Sequence, residues 1–308
     1  PDGREQIYDD LKRELRAYDH MGQGVLDIAL WDLAGKRLGT SVSRLLGGFR
    51  ERLPTYASTY HGQLGPGGLN SPEAFADFAS ECQEASFAGF KIHGWNDGDV
   101  NREIMNLRAV RARIGESWRV MLDPACQLRT WNDALAVGHA CDEIGCFWYE
   151  DPYRDTGISA EAHRRLRDRL STPLLITEHV RTLEQKAAFL VAGGCDIIHA
   201  DPEYDMGITG TMKIAHLCEA FGLDVQLHAC GPAHRAVISA LRNTHMYEMA
   251  LIGPKMPNVI PPVYQGYSDQ VDAIGSDGCV PVPDGPGLGV TYDWDFINRN
   301  TTVTHDFC

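Results

Sequence analysis

Short apolar runs alternate with longer amphipathic stretches along most of the chain. Runs of a few β-branched and aromatic residues predict strands, whereas apolar residues spaced three or four apart predict helices. Strands are predicted at 53–59, 89–93, 119–124, 147–151, 173–178, 196–201, 224–229 and 246–251. Helices are predicted near 72–87, 101–114, 131–144, 160–169, 182–192, 208–221 and 232–242. This alternation with short turns predicts an α/β fold of the modified TIM-barrel type, (β/α)7β, with parallel strands.

The two ends of the chain depart from this repeat. Residues 8–19 are charged with helical spacing, and the strongly apolar stretch 25–34 predicts a second helix. Residues 253–308 are rich in Pro, Gly and Asp and have weak periodicity, so we expect them to wrap back over the scaffold. The expected parts are a lead-in segment at 1–50, the barrel at 51–255 and a C-terminal segment at 256–308.

Composition restricts the classes of protein that fit this pattern. The chain has 308 residues, of which 44% are hydrophobic, and no apolar run reaches the length of a membrane span. A formal charge of −14 disfavours nucleic acid and anionic membranes as partners, because like charges repel. Nine scattered cysteines without a C-x-x-C pair predict reduced thiols. Together with a polar N-terminal sequence that lacks a signal-peptide pattern, they predict a cytoplasmic protein.

Three consecutive predicted strands each end in an acidic residue, at nearly equal spacing. They are Asp123, Glu150 and Glu178. Because the carboxyl ends of parallel barrel strands meet at one rim, these side chains are expected to converge. Three converging carboxylates repel one another unless a cation lies between them. Oxygen-only ligation suits a hard divalent ion, so the spacing predicts a site for Mg²⁺, with Mn²⁺ as an alternative.

The other predicted strands also place ionisable residues at this rim, which is the side where barrel enzymes carry their chemistry. A structural rim would not require an ionisable group on every strand from the second onward. The candidate acid–base residues are Lys91, His93, Asp201, His228 and Glu248. Asp201 is expected to orient the His228 imidazole and raise its basicity, leaving its second nitrogen to accept a proton. Lys91 and His93 are expected to face this pair across the barrel mouth.

Four further segments complete a resemblance to a known family. They are 29–36 (ALWDLAGK), 45–48 (LLGG), 207–210 (GITG) and 286–289 (PGLG). With the acidic trio and the Asp–His pair, the chain resembles the enolase superfamily, mandelate racemase/muconate lactonizing enzyme subgroup. The resemblance implies that the trio holds Mg²⁺ and that Asp201 and His228 form a catalytic dyad. It also implies that Glu248 hydrogen-bonds the substrate carboxylate and assists enolisation.

Two departures from the family pattern matter. Mandelate racemase has Lys-x-Lys on the second strand, where this chain has Lys91-Ile92-His93. Either His93 is the second acid–base group and Lys91 binds the substrate carboxylate, or Lys91 is catalytic and His93 binds. Family members also begin with an α+β capping domain whose loops select the substrate. Residues 1–50 are expected to be only the end of that domain. The sequence therefore does not identify the substrate or its stereochemistry.

The resemblance implies Mg²⁺-dependent abstraction of the proton α to a carboxylate, through an enediolate. We expect a dehydratase that converts a sugar acid, an aldonate or aldarate, into a 2-keto-3-deoxy acid. The polar residues near the first two strand ends, including Tyr60, His61 and Trp95, suit binding of a hydroxylated substrate. The alternatives are a cycloisomerase of a sugar-acid lactone or anhydro sugar acid, a racemase or epimerase, and a catalytically idle metal-binding homologue. The expected partners are a small carboxylate substrate and further copies of the chain in a homo-oligomer.

Overall fold

The fold is taken from a computed structural model that describes residues 3–62, 67–155, 157–254 and 262–305. The barrel strands are β1 Arg52–Thr59, β2 Gly89–His93, β3 Arg119–Asp123, β4 Tyr149–Glu150, β5 Leu174–Ile176, β6 Ile197–Ala200, β7 Asp224–Leu227 and β8 Tyr247–Ile252. Counting from the N-terminus, the helices between them are α4 Pro72–Glu84, α5 Val100–Ile114, α6 Trp131–Ile144, α7 Ala160–Arg167, α8 Leu183–Val191, α9 Gly207–Ala220 and α10 Pro232–Ala240. The lead-in helices are α1 Arg4–Leu15, α2 Gln23–Leu38 and α3 Val42–Leu45. The C-terminal elements are β9 Tyr264–Gln265, β10 Cys279–Pro281, β11 Thr291–Tyr292 and α11 Trp294–Asn300.

The barrel strands form one parallel sheet in which β1 to β7 follow one another in order and β8 pairs with β1. Between β7 and β8, the hydrogen bonds come from the Gln226 side chain and from the segment just before β8. Gln226 Nε2 donates to Met246 O at 2.8 Å, and Val225 N donates to Asn243 O at 2.8 Å. The (β/α)7β prediction is therefore confirmed. Within the described ranges, no helix is both long and apolar enough to cross a bilayer.

The barrel interior explains why the site residues meet. Side chains alternate between the two faces of a strand, so an inward residue is followed two positions later by another. The inner layer contains Tyr56, Met121, Trp148, Leu175, Ile197 and Met246. Two positions beyond Met121, Trp148 and Met246 come Asp123, Glu150 and Glu248. The apolar layer thus forms the floor of a mouth that is lined with charged groups.

Strands β4 and β5 end earlier than predicted, at Glu150 and Ile176 instead of residues 151 and 178. The next residues adopt left-handed backbone, with φ of 25° at Asp151 and 100° at Thr177. A positive φ at a non-glycine residue is costly and incompatible with a continuing ladder. The chain therefore turns out of the sheet immediately at the two strand ends that carry the acidic residues.

The lead-in helices and the C-terminal segment are attached to the barrel by buried polar contacts. Asp27 on α2 accepts hydrogen bonds from the backbone N and the hydroxyl of Thr209 on α9, at 2.9 and 2.7 Å. Asp32 accepts from Leu288 N at 2.8 Å, and β10 pairs antiparallel with the start of β1. The proposed boundary at 255/256 lies outside the described residues, so the three-part division remains a prediction.

Candidate metal and acid–base site

Lys91 lies at the centre of the charged mouth. Its Nζ is 2.9 Å from Glu150 Oε1, 2.9 Å from Glu248 Oε1 and 3.4 Å from Asp123 Oδ2. The side chain is 1% exposed. Three carboxylates, from β3, β4 and β8, therefore surround its charge, and binding of a substrate carboxylate by Lys91 remains a prediction. An ammonium ion in a buried pocket lies next to whatever negative charge is closest, because unpaired charge is costly there.

The pKa values of this cluster reflect an excess of negative charge. Burial disfavours the charged ammonium, but the Glu150 and Glu248 carboxylates outweigh burial and hold the pKa of Lys91 well above its usual range. Burial, with the neighbouring carboxylates, raises the pKa of Glu150 well above its usual range despite Lys91. One lysine therefore does not compensate the acidic residues around it. A second positive charge at this place would stabilise the ionised form of Glu150.

Three donor atoms, one each from Glu150, Glu178 and His199, lie within 4.8 Å of one another. Asp123 lies beside this group, sharing Lys91 Nζ with Glu150, and its other oxygen accepts from Ala125 N at 2.7 Å. The structure thus brings together two of the three predicted ligands and places the third next to them. Two carboxylates, a third close by and one imidazole form a donor set that fits a divalent cation.

His228 and Asp201 form the predicted acid–base pair in space. His228 Nδ1 is 2.6 Å from Asp201 Oδ2, and its Nε2 is 3.5 Å from Glu178 Oε1. Burial opposes the charged ring, but the Asp201 bond and the charges of Glu178 and Glu248 raise the pKa of His228 to about 9. In the metal-free protein the ring is therefore protonated at neutral pH, and its Nε2 faces Glu178.

Glu248 connects the two halves of the mouth. Its Oε2 accepts from Ala229 N at 2.6 Å, beside His228, and its Oε1 contacts Lys91. Burial alone would raise the pKa of Glu248. The Lys91 charge and the nearby imidazoles have the larger, opposite effect and lower the pKa to about 2. Glu248 therefore carries a negative charge at neutral pH. In this structure its two oxygens contact Ala229 N and Lys91 Nζ, and its hydrogen bond to a substrate carboxylate remains a prediction.

The opposite wall contains the histidines of the first two strands. His93 Nε2 is 3.3 Å from Asp123 Oδ2, and the His93 ring centroid is 4.2 Å from that of His61. Burial and the neighbouring His93 lower the pKa of His61 to about 4, so His61 is neutral at pH 7. Tyr60 is partly exposed, whereas Trp95 is buried against Phe75. Substrate binding by Tyr60, His61 and Trp95 remains a prediction.

Sequence reasoning missed several residues at the mouth. His199 has no role in the strand-end pattern, although it lies two positions before Asp201 and so shares its strand face. Tyr204 stacks on His228, with centroids 5.6 Å apart, and the Arg181 guanidinium carbon lies 4.0 Å from the Tyr204 ring centroid. Tyr204 and Arg181 lie on loops, where no periodic signal exists. His234 on α10 is 3.4 Å from the second oxygen of Asp201.

The chain is similar in sequence to a known family and to several characterised proteins. The sequence profile of a family described as enolase C-terminal domain-like matches residues 74–296. A D-gluconate dehydratase from Thermoproteus tenax is 28% identical over 285 residues, which are 87% of this chain and 54% of that protein. A D-galactarolactone cycloisomerase from Agrobacterium fabrum is 30% identical over 289 residues, 89% of this chain and 72% of that protein. The chain therefore spans about half the length of the first relative.

A solved structure shows the same fold over nearly the whole chain. The crystal structure of D-glucarate dehydratase from Agrobacterium tumefaciens, complexed with magnesium, matches with a TM-score of 0.85 and 30% identity. The match covers 96% of this chain and 79% of that one. These comparisons confirm the family resemblance carried by the sequence motifs. The chain belongs to the enolase superfamily, in the enolase C-terminal domain-like family of the mandelate racemase and muconate lactonizing proteins.

Proposed function

We propose that this protein is an Mg²⁺-dependent dehydratase that converts an aldonate or aldarate into a 2-keto-3-deoxy acid. The observation that carries the proposal is the His228–Asp201 hydrogen bond at 2.6 Å, with Nε2 of His228 facing Glu178. The names of relatives give further support, since a D-gluconate dehydratase and a magnesium-bound D-glucarate dehydratase are among them.

His228 performs the first two proton transfers in this proposal. Nε2, in its deprotonated form, accepts the proton on the carbon next to the substrate carboxylate, and Asp201, bonded to Nδ1, stabilises the imidazolium that forms. The same imidazolium then donates its proton to the β-hydroxyl, which leaves as water. The resulting enol gains a proton at C3 from solvent, loses its hydroxyl proton to solvent and becomes the 2-keto-3-deoxy acid. One imidazole thus serves as base and then as acid, and the net change is loss of one water.

Asp123, Glu150 and Glu178 are proposed to hold the cation next to His228. When bound, Mg²⁺ supplies positive charge that stabilises the negative charge developing on the substrate carboxylate. Lys91 and Glu248 line the same pocket. Lys91 is proposed to orient that carboxylate by its charge, and Glu248, in its protonated form, to donate a hydrogen bond to it. Tyr60, His61 and Trp95 are proposed to form the wall next to the sugar hydroxyls.

Cycloisomerisation is the second candidate, because the Agrobacterium D-galactarolactone cycloisomerase is 30% identical to this chain. Both reactions begin with the same proton abstraction. They differ in the leaving group, which is a hydroxyl in one and a ring oxygen in the other. Racemisation requires a second acid–base group on the other substrate face, and His93 stands where mandelate racemase has a lysine. Lys91 and His93 remain the two candidates for that group.

The purified protein with Mg²⁺ is tested against a library of aldonic and aldaric acids and their lactones, scored for 2-keto acid. Keto acid from an open-chain acid supports dehydration, and ring opening of a lactone without loss of water supports cycloisomerisation. His228→Asn is expected to abolish exchange of the α-proton in heavy water. His245→Asn is the matched control, because His245 also bonds a carboxylate, Asp224 at 2.8 Å, but lies at the other end of the barrel. Unchanged exchange in His228→Asn contradicts the proposed base.

A further inference from the structure

His199 is a buried histidine whose side chain has no hydrogen bond in the described part of the chain. It lies on β6 and is 0% exposed. Neither Nδ1 nor Nε2 has a hydrogen-bond partner among the residues that the structure describes. Its backbone oxygen, in contrast, accepts hydrogen bonds from Thr177 Oγ1 at 2.9 Å and from Lys186 Nζ. A buried polar atom without a partner costs about 1–3 kcal/mol, so two such nitrogens on one ring indicate that something else binds there.

The ring of His199 faces the donor group. Its Nδ1 is 3.6 Å from Glu150 Oε1 and 3.9 Å from Asp151 Oδ2, both too long for a hydrogen bond. Its edge meets the His228 ring, with centroids 5.5 Å apart. A ring nitrogen of His199 is also one of the three atoms that lie within 4.8 Å of one another. The imidazole is therefore placed between the two proposed ligands and the proposed base.

We propose that His199 supplies a ring nitrogen as a further ligand to the cation held by Glu150 and Glu178. We further propose that this nitrogen shifts the preference of the site from Mg²⁺ toward Mn²⁺ and Co²⁺. This inference rests on the metal site of the proposed function and adds a ligand and a selectivity to it. The two carboxylates come from β4 and from the loop after β5, and the imidazole comes from β6.

The distances and the donor chemistry support this assignment. At metal–ligand distances of about 2.1 Å, two ligands on opposite sides of one ion are about 4.2 Å apart. Donor atoms within 4.8 Å of one another need only small side-chain rotations to reach a common ion. Mg²⁺ prefers oxygen ligands, whereas imidazole nitrogen suits first-row transition metals. One nitrogen among oxygens therefore strengthens binding of Mn²⁺ and Co²⁺ more than binding of Mg²⁺.

The first test measures metal affinity by titration calorimetry, with MgCl2, MnCl2 and CoCl2 added to the metal-stripped protein. His199→Gln is expected to weaken Mn²⁺ and Co²⁺ binding at least tenfold and to change Mg²⁺ binding less than threefold. His163→Gln is the matched control, because His163 is also buried with an unpartnered Nε2 but lies on α7 outside the donor group. It is expected to change none of the three affinities. Equal Mn²⁺ affinity in wild type and His199→Gln overturns the proposal.

The second test identifies the ligand atom directly and does not depend on activity. Pulsed electron paramagnetic resonance of the Mn²⁺-loaded protein is expected to show coupling to a directly bonded nitrogen, which His199→Gln removes and His163→Gln retains. A Mn²⁺ spectrum with oxygen ligands alone overturns the role of His199 and leaves the proposed function intact. If neither Mg²⁺ nor Mn²⁺ binds the wild type, the metal site of the proposed function fails together with this inference.

Discussion

Nδ1 of His228 lies 2.6 Å from Oδ2 of Asp201, and this bond determines which imidazole nitrogen is free to react. Asp201→Asn removes the negative charge that stabilises the imidazolium. The pKa of His228, about 9 with the pair intact, is expected to fall, and turnover is expected to drop by about 10–100-fold. Ring-nitrogen NMR of the metal-free protein over a pH series measures the first effect, and steady-state kinetics measures the second.

Asp224→Asn is the control for that experiment, since Asp224 pairs with His245 away from the mouth. It is expected to leave both the His228 pKa and turnover unchanged. An unaltered pKa of His228 in Asp201→Asn would mean that another group controls the base.

Lys91→Met leaves three buried carboxylates without their ammonium partner. Removing one member of a buried charge cluster costs about 3–5 kcal/mol, so we expect a large fall in the thermal midpoint of the metal-stripped protein. Added Mg²⁺ is expected to recover part of the loss, because it supplies positive charge to the same carboxylates. Differential scanning fluorimetry with EDTA and with MgCl2 compares the two states. Lys12→Met removes a partly exposed ion pair with Glu184. It is expected to change the thermal midpoint little, with EDTA or with MgCl2.

Glu103, which lies outside the three donor residues Glu150, Glu178 and His199, gives the protein a pH-dependent stability. Its Oε1 accepts from Trp95 N at 2.8 Å, and burial raises its pKa from 4.5 to about 7. Between these values the unfolded chain loses the proton and the folded chain keeps it. Folding stability is therefore expected to fall as pH rises from 4.5 to 7, by up to about 3 kcal/mol.

Glu103→Gln is expected to abolish that contribution while keeping an acceptor for Trp95 N. Urea unfolding at pH 5 and pH 8 measures the difference in the free energy of unfolding. The exposed Glu116→Gln serves as the control and is expected to follow the wild type. A Glu103→Gln protein with the wild-type pH dependence would show that Glu103 ionises normally.

Tyr204 restrains the His228 ring by stacking at 5.6 Å with an interplanar angle of 23°. Aromatic pairs contribute about 0.5–1.5 kcal/mol beyond burial, so Tyr204→Leu is expected to lower turnover by about 2–10-fold. Tyr204→Phe keeps the ring and is expected to stay close to wild type. Steady-state kinetics of both variants separates the stack from the hydroxyl. Equal losses of turnover in Tyr204→Phe and Tyr204→Leu would assign the effect to the hydroxyl.

Most of the barrel could be predicted from the sequence, because buried parallel strands and amphipathic helices have distinct hydrophobic periodicities. The sequence also indicated Asp201 and His228, since both follow apolar strand residues at the same rim. It did not indicate the role of His199, because a histidine inside an apolar strand is typical of packing as well as of ligation. The early ends of β4 and β5 depend on positive φ at Asp151 and Thr177, which no residue preference reveals. The contact of Arg181 with Tyr204 joins two loops. Loop conformation has no periodic sequence pattern, so this contact could not be predicted.

The position of Lys91 makes assembly of the barrel and loading of the cation separable events. Because the Lys91 ammonium offsets part of the negative charge at the mouth, the barrel is expected to reach its native shape without an external ion. We therefore expect chelation to abolish the proposed activity reversibly, without aggregation. Different divalent ions can then be exchanged at the mouth of one and the same scaffold.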